Sequence, residues 1–212
     1  RQNGLRLIQQ NTEFTVPVNA TSEPSEVGTT DLALLAVKTY QITEASQAIR
    51  PLIGPKTQIV TLQNGVDSAD ELVREFGPDR VLPGASYTIA SIESPGVIKQ
   101  QSKTARIVFG RADGQITPEA EAVQDCLTPA IDAELTGDIA SVLWSKFLLT
   151  APGNAINATA RFPVTRLIQT KAGRALLLVG GECAVIGVVQ IGHVQPLLVD
   201  NRRSFHRQLT IV

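Results

Sequence analysis

Three polar side chains interrupt an otherwise apolar stretch, WSKFLLTAPGN at residues 144–154, at a spacing that can do chemistry. Lys146, Thr150 and Asn154 are four residues apart, so a helix through them carries all three on one face, about one turn from each to the next. Burial beside Trp144 and Phe147 would disfavour the charged form of Lys146, which suits a group that must release a proton near neutral pH. Lys146 is therefore a candidate general acid, with two hydrogen-bonding neighbours. The plainer alternative is a lysine snorkelling at a helix start beside solvated bystanders.

A second pair of residues follows strand-like runs. Residues 31–37, DLALLAV, are a continuous apolar run of strand length, as expected for a parallel strand covered on both faces, and Lys38 comes next. Residues 57–62, TQIVTL, read as another strand, followed by a tight turn at Gln63, Asn64 and Gly65. Ligands of open α/β sheets bind outside the carboxyl ends of the strands. Lys38 and Asn64 thus take equivalent places in successive units, and Gly65 allows close backbone approach to a ligand. Taken singly, each has an ordinary alternative: a lysine ending a strand, and a routine Asn-Gly turn.

The elements that must position these groups can be read in order. Residues 1–20 give two short strands or a hairpin arm, and residues 42–54 and 66–77 give helices after the two apolar strands. From Arg80 the pattern changes to short strands, in RVLPGASYTIAS, ESPGVIKQQ and TARIVFG, which predict antiparallel additions to the sheet with Gly84 and Ala85 leaving room near the site. A helix over 117–130 opens at a Thr117 cap with Pro118 in its first turn, and residues 131–135 form a last short strand. Asp138 caps a longer helix that holds Lys146, with Pro152 expected to kink or loosen the turn carrying Asn154. Residues 165–179, the apolar segment on to Gly192, and 200–209 read as helical. The shift from alternating strands and helices to helices alone places a domain boundary near Gly137, giving domains 1–137 and 138–212.

Composition excludes several classes. With 212 residues, 43% hydrophobic and 18% charged, the chain can bury a sizeable core. Nineteen basic against 20 acidic residues give no bias towards nucleic acid or an anionic membrane surface. Cys126 and Cys183 form neither a disulfide framework nor a metal-ligand spacing, and His193 and His206 have no metal-like partners. The apolar run 175–191 is broken by Glu182 and several glycines, so it reads as a buried helix and not a membrane span. There is no methionine at all, and residues absent from the printed sequence are the expectation that follows.

KTYQ after one apolar strand, LQNGV after the next, PGVI in the hairpin region, and WSKF with an asparagine eight residues after its lysine together resemble the ketopantoate reductase family. The resemblance runs from about Asn3 to the end. It implies an α/β fold, a Rossmann-like dinucleotide-binding domain followed by an all-helical domain, both partial here. It also implies reduction of 2-dehydropantoate to pantoate with NADPH, in the cytoplasm and on the pathway to pantothenate and coenzyme A. On this resemblance Lys146 is the general acid, Asn64, Thr150 and Asn154 contact the substrate, and Lys38, Asn64 and the Ala90 backbone contact the cofactor. The partner is a small 2-keto acid, without nucleic acid, membrane or metal, and the apolar helices after Arg174 would form a homodimer contact. The family's glycine-rich GxGxxG turn would lie before Arg1 and its later serine and glutamate after Val212, so the chain reads as the middle of a longer one. Asparagine is usual in the family where this chain has Thr150. The alternatives are a related reductase of another small 2-keto or 3-hydroxy acid, and a non-catalytic nucleotide-binding or interaction protein.

Overall fold

The computed structural model describes residues 4–10, 12–161, 166, 168–176, 179 and 209–211. These fall into two compact units, residues 1–139 with 200–212, and residues 140–199.

The first unit is built on a six-stranded sheet. Strand β3 (Thr30–Leu35) leads through a 3-10 turn into helix α1 (Ile42–Ile49), then β4 (Ile53–Thr61), helix α2 (Ser68–Phe76) and β5 (Val81–Tyr87). β3, β4 and β5 are parallel neighbours, the arrangement that strand-helix-strand crossovers produce. β8 (Arg106–Phe109) adds antiparallel to β5, and β9 (Asp132–Leu135) adds parallel to β8 after helix α3 (Pro118–Leu127). On the other side β10 (Leu209–Ile211) pairs parallel with β3.

Alternate side chains of the strands point to opposite faces, and both faces are covered. Ala33, Leu35, Ile59 and Val81 pack with Ile42, Ala45 and Ile49 of α1 and with Ala69 and Leu72 of α2. Leu32, Leu34, Val60, Leu82 and Phe109 pack instead with Ala120, Val123 and Leu127 of α3. The continuous apolar run of β3 therefore follows from two-sided burial, as its sequence predicts. α3 begins where its sequence signals it: the Thr117 hydroxyl accepts from the Ala120 amide at 3.3 Å, with Pro118 in the first turn.

A second sheet has the order β2-β1-β7-β6. The expected N-terminal hairpin forms it with β1 (Leu5–Gln9) antiparallel to β2 (Thr12–Val16). β6 (Ala90–Ser94) and β7 (Val97–Gln100) complete it, joined by a turn with Gly96 at φ +80°.

Several expectations are corrected. The stretch from Arg80 does not simply extend one sheet: β5 is a parallel member of the main sheet, β8 alone adds antiparallel to it, and β6 with β7 leave for the second sheet. α1 does not run on to Gly54. Pro51 has no amide to continue the helix, so Arg50–Leu52 tightens to a 3-10 turn and β4 begins at Ile53. Gly84 and Ala85 leave no room. A methyl on Gly84 would stand 3.1 Å from Leu62 Cδ2 and 3.2 Å from the Thr61 carbonyl, and Ala85 is fully buried. Leu209, expected to end a helix, starts β10; residues 200–208 lie outside the described residues.

In the second unit, helix α4 (Ile139–Ala160, whose first residue belongs to the first unit) continues through Pro152 and Gly153 without a break. Proline removes one hydrogen bond from a helix, and the bonds of the adjoining turns carry it past that gap. Residues 171–176 are helical, and Leu176 and Val179, expected in a buried helix, are about half exposed. Cys183, Glu182, His193 and His206 lie outside the described residues. No helix among the described residues is long and apolar enough to cross a membrane.

Candidate active site

Because β3, β4 and β5 are parallel, their carboxyl ends share one edge of the main sheet. Lys38 stands just beyond β3, its backbone fixed by the following turn: its amide donates to Gln41 Oε1 at 3.3 Å and its carbonyl accepts from the Gln41 amide at 2.8 Å. Its ammonium is exposed. Asn64, also exposed, stands beyond β4, followed by Gly65 at φ +117°. The Thr39 hydroxyl donates to the Asn64 carbonyl at 3.4 Å, so the two loops are tied together. The equivalence of Lys38 and Asn64 read from sequence is thus a spatial one as well.

Gln63 underlies this edge. Only 5% exposed, it donates through Nε2 to the Leu35 carbonyl at 2.9 Å and accepts through Oε1 from the buried Thr61 hydroxyl. The Leu62 amide donates to the same Leu35 carbonyl at 3.0 Å. A side-chain amide therefore locks the ends of β3 and β4 together one residue before Asn64. Sequence reading treats Gln63 as part of a turn and passes over it; its only signal is a glutamine where a strand's last inward position would fall.

Ala90 emerges at the start of β6, three residues past the carboxyl end of β5, and is exposed. Its neighbour Ile89 is pinned by Ser102, which sequence reading also passes over. The Ile89 amide donates to Ser102 Oγ at 3.1 Å, and the Ile89 carbonyl accepts from the amides of Gln101 at 2.7 Å and Ser102 at 3.2 Å. This bonding fixes the backbone path into Ala90.

In the second unit Lys146, Thr150 and Asn154 lie along α4 at the four-residue spacing that puts them on one face. Lys146 is half-buried, and burial pushes its ammonium below the ordinary lysine value of 10.5. Trp144 and Phe147 on the same helix meet edge to face, ring centres 5.8 Å apart. The Thr150 hydroxyl donates to the Lys146 carbonyl at 2.8 Å, and Asn154 is exposed. Chemically, α4 offers a proton donor of weakened basicity beside hydroxyl and amide groups. The sheet edge offers a cation, an amide and open backbone. Among the described residues no cluster of acidic, histidine or cysteine side chains is arranged to hold a metal ion.

Residues 1–114 match the family model of ketopantoate reductase PanE/ApbA. The chain belongs to the ketopantoate reductase family. Among its relatives is 2-dehydropantoate 2-reductase of Mesorhizobium japonicum, 28% identical over 82% of this chain and 60% of the relative. The chain thus spans well under two thirds of that protein's length. Among solved structures, 2-dehydropantoate 2-reductase from Geobacter metallireducens superposes with a TM-score of 0.77 at 26% identity, covering 92% of this chain and 72% of that one. A D-mandelate dehydrogenase solved with NADH and anilino(oxo)acetate shares the fold, with a TM-score of 0.75 at 20% identity over 90% of this chain and 62% of that one. The first unit is accordingly the Rossmann-like part of the ketopantoate reductase fold, and in those neighbours an all-helical domain follows.

Proposed function

We propose that the protein reduces 2-dehydropantoate to pantoate with NADPH, with Lys146 as the general acid. The observation that best supports this is the half-buried Lys146, its charged form destabilised by burial, one turn from Thr150 in a chain of this family. The groups at the sheet edge fit a dinucleotide: an exposed ammonium at Lys38 for phosphate, the Asn64 amide for ribose or carboxamide, and a Gly65 backbone that a side chain does not shield. The cofactor, when bound, supplies the hydride that reaches the carbonyl carbon.

Every other part of the reaction falls to this chain's residues. Lys146 Nζ donates its proton to the ketone oxygen as negative charge develops there, and before transfer its positive charge stabilises that oxygen. Partial burial makes the proton easier to give up than that of a solvated lysine. Thr150 and Asn154 orient the substrate along α4. Lys38 and Asn64 hold the cofactor, and Gln63 with Thr39 keeps their two loops in register. The backbone at Ala90, fixed through Ile89 and Ser102, lies beside the nicotinamide. In the same reading residues 1–137 bind the cofactor, residues 138–212 bind substrate and form a homodimer, and the enzyme works in the cytoplasm.

Thr150, where asparagine is usual, favours one second reading: reduction of another small 2-keto acid by the same chemistry. Oxidation of NADPH and of NADH by the full-length protein, followed at 340 nm with ketopantoate and a panel of 2-keto acids, separates the two. Turnover of ketopantoate that is lost in Lys146→Met supports the first reading. Preference for a different keto acid supports the second, and the absence of turnover with any of them overturns both.

A further inference from the structure

We infer that Asn64-Gly65 is a self-modifying site: in the cofactor-free protein Asn64 converts to aspartate and isoaspartate, and a bound dinucleotide slows that conversion. The modification rests on local geometry. Its coupling to the cofactor rests on the reading of Lys38 and Asn64 as cofactor contacts.

The reaction needs an asparagine side chain that is free to turn and a following backbone nitrogen that is free to attack it. Asn64 is exposed, and among the described residues its side-chain amide and the Gly65 N–H have no hydrogen-bond partner. The bond that Asn64 does make runs to its carbonyl, from the Thr39 hydroxyl, and leaves both reacting groups alone. Gly65 has no side chain to shield its nitrogen, and at φ +117° it holds a conformation that other residues rarely adopt. Asn154 and Asn157 lack this arrangement. Each is followed by alanine inside α4, where the next amide is engaged by the helix's own bonding.

Asp67 supplies a second element. It stands immediately before α2, where a side chain commonly caps the first turn, yet its carboxylate makes no capping bond. Asp67 Oδ1 instead lies 3.4 Å from where a methyl group on Gly65 would stand, and beyond Gly65 and its chain neighbours it is the only atom within 4 Å of that point. A carboxylate there is placed to take up the Gly65 proton as the nitrogen attacks.

The bonds balance without an oxidant. Gly65 N attacks Asn64 Cγ, the new C–N bond closes a five-membered imide, and the side-chain nitrogen leaves as ammonia with the proton taken from Gly65. Water then opens the ring at either carbonyl. One opening leaves aspartate; the other passes the backbone through the side chain and leaves isoaspartate. Either product puts an acid where the amide stood. Once ionised it cannot donate a hydrogen bond, and its negative charge stands at the edge read as holding the dinucleotide's phosphates. A cofactor that engages the Asn64 amide keeps it from turning toward Gly65, so an occupied site is preserved and an empty one is lost.

The test incubates the full-length protein at pH 8.5 and 37 °C over days, with and without NADPH, and follows tryptic peptides by mass and isoaspartate content. Residues 57–74 form one such peptide, with Asn64 as its only asparagine, and residues 147–161, with Asn154 and Asn157, form an internal control. Peptide 57–74 should show the mass of an NH2-to-OH exchange at a rate close to that of the free peptide of the same sequence, while 147–161 stays unchanged. Asp67→Ser should slow the conversion in the folded protein and not in the free peptide. NADPH should slow it about tenfold, and Asn64→Asp should weaken NADPH binding about tenfold in a fluorescence titration. Conversion of 57–74 no faster than that of 147–161, or unaffected by Asp67→Ser, overturns the inference. Conversion that NADPH leaves unchanged retains the modification but overturns its coupling to the cofactor, and with it the placement of the dinucleotide at this edge.

Discussion

Replacing Gln63 with methionine should destabilise the first unit by about 2–4 kcal/mol, and removing Thr61's hydroxyl as well should restore much of that loss. The figure comes from what each partner keeps. The Leu35 carbonyl loses the Gln63 amide but retains the Leu62 amide at 3.0 Å, so the cost there is that of one neutral hydrogen bond, about 1 kcal/mol. The Thr61 hydroxyl, 1% exposed, loses its acceptor with no water to replace it, which adds about 1–3 kcal/mol. In Gln63→Met with Thr61→Val no hydroxyl is left unpaired, and only the first cost of about 1 kcal/mol remains. The double variant should thus be more stable than Gln63→Met alone, a coupling that distant sites do not show. Trp144 lies in the second unit, so its fluorescence is the wrong probe; hydrogen exchange at the amides of residues 59–62 reports the affected strand directly. Costs that simply add in the double variant would refute the reasoning. Under the proposed function, Gln63→Met should also raise the KM for NADPH, since it frees the backbone beside Asn64.

Other consequences concern packing and charge. Gly84→Ala should cost about 1–3 kcal/mol in denaturant unfolding, because the added methyl meets Leu62, the Thr61 carbonyl and Phe109 within 3.3 Å. Arg111→Met should cost about 2–3 kcal/mol near neutral pH. Its guanidinium, 9% exposed, holds both carboxylate oxygens of Asp113 and one of Asp79, but both acids are well solvated, which keeps the loss below that of a fully buried pair. That pairing holds the Asp113 carboxyl at about 2, below its ordinary 3.8, so the unfolded chain binds more protons between those values. Its contribution to stability is complete above pH 3.8 and is lost as pH falls through about 2, and an acid titration of Arg111→Met should lack that component.

Much of the fold was legible because burial writes itself into the apolar pattern. The two-sided covering of β3 makes DLALLAV continuous, and the Thr117-Pro118 pair marks the start of α3. Lys38 and Asn64 could be matched because each follows such a strand. What the sequence hid were contacts made across the chain. Gln63 looks like a turn residue until its amide is seen on the Leu35 carbonyl, 28 residues away. Gly84 looks like open space until strands on both sides close on it. The division of the later strands between two sheets was invisible because β7 pairs with β1, some 90 residues earlier, and no local signal chooses that partner. Pro152 was expected to kink or loosen its turn because it has no amide to donate, and the helix runs on through it because bonded turns on either side tolerate one missing bond.

The central claim is that Lys146 gives up the proton, and its pH dependence tests that most directly. The measurement is kcat/KM for ketopantoate with NADPH from pH 6 to 10, for wild type and Lys146→Met. A donor must be protonated to act, so wild-type activity should fall as pH rises, through an apparent pKa below the ordinary lysine value of 10.5. Lys146→Met should lose about 10²–10⁴-fold in kcat and show no such alkaline fall. A methionine variant within tenfold of wild type, or one that keeps the same alkaline fall, would contradict the assignment.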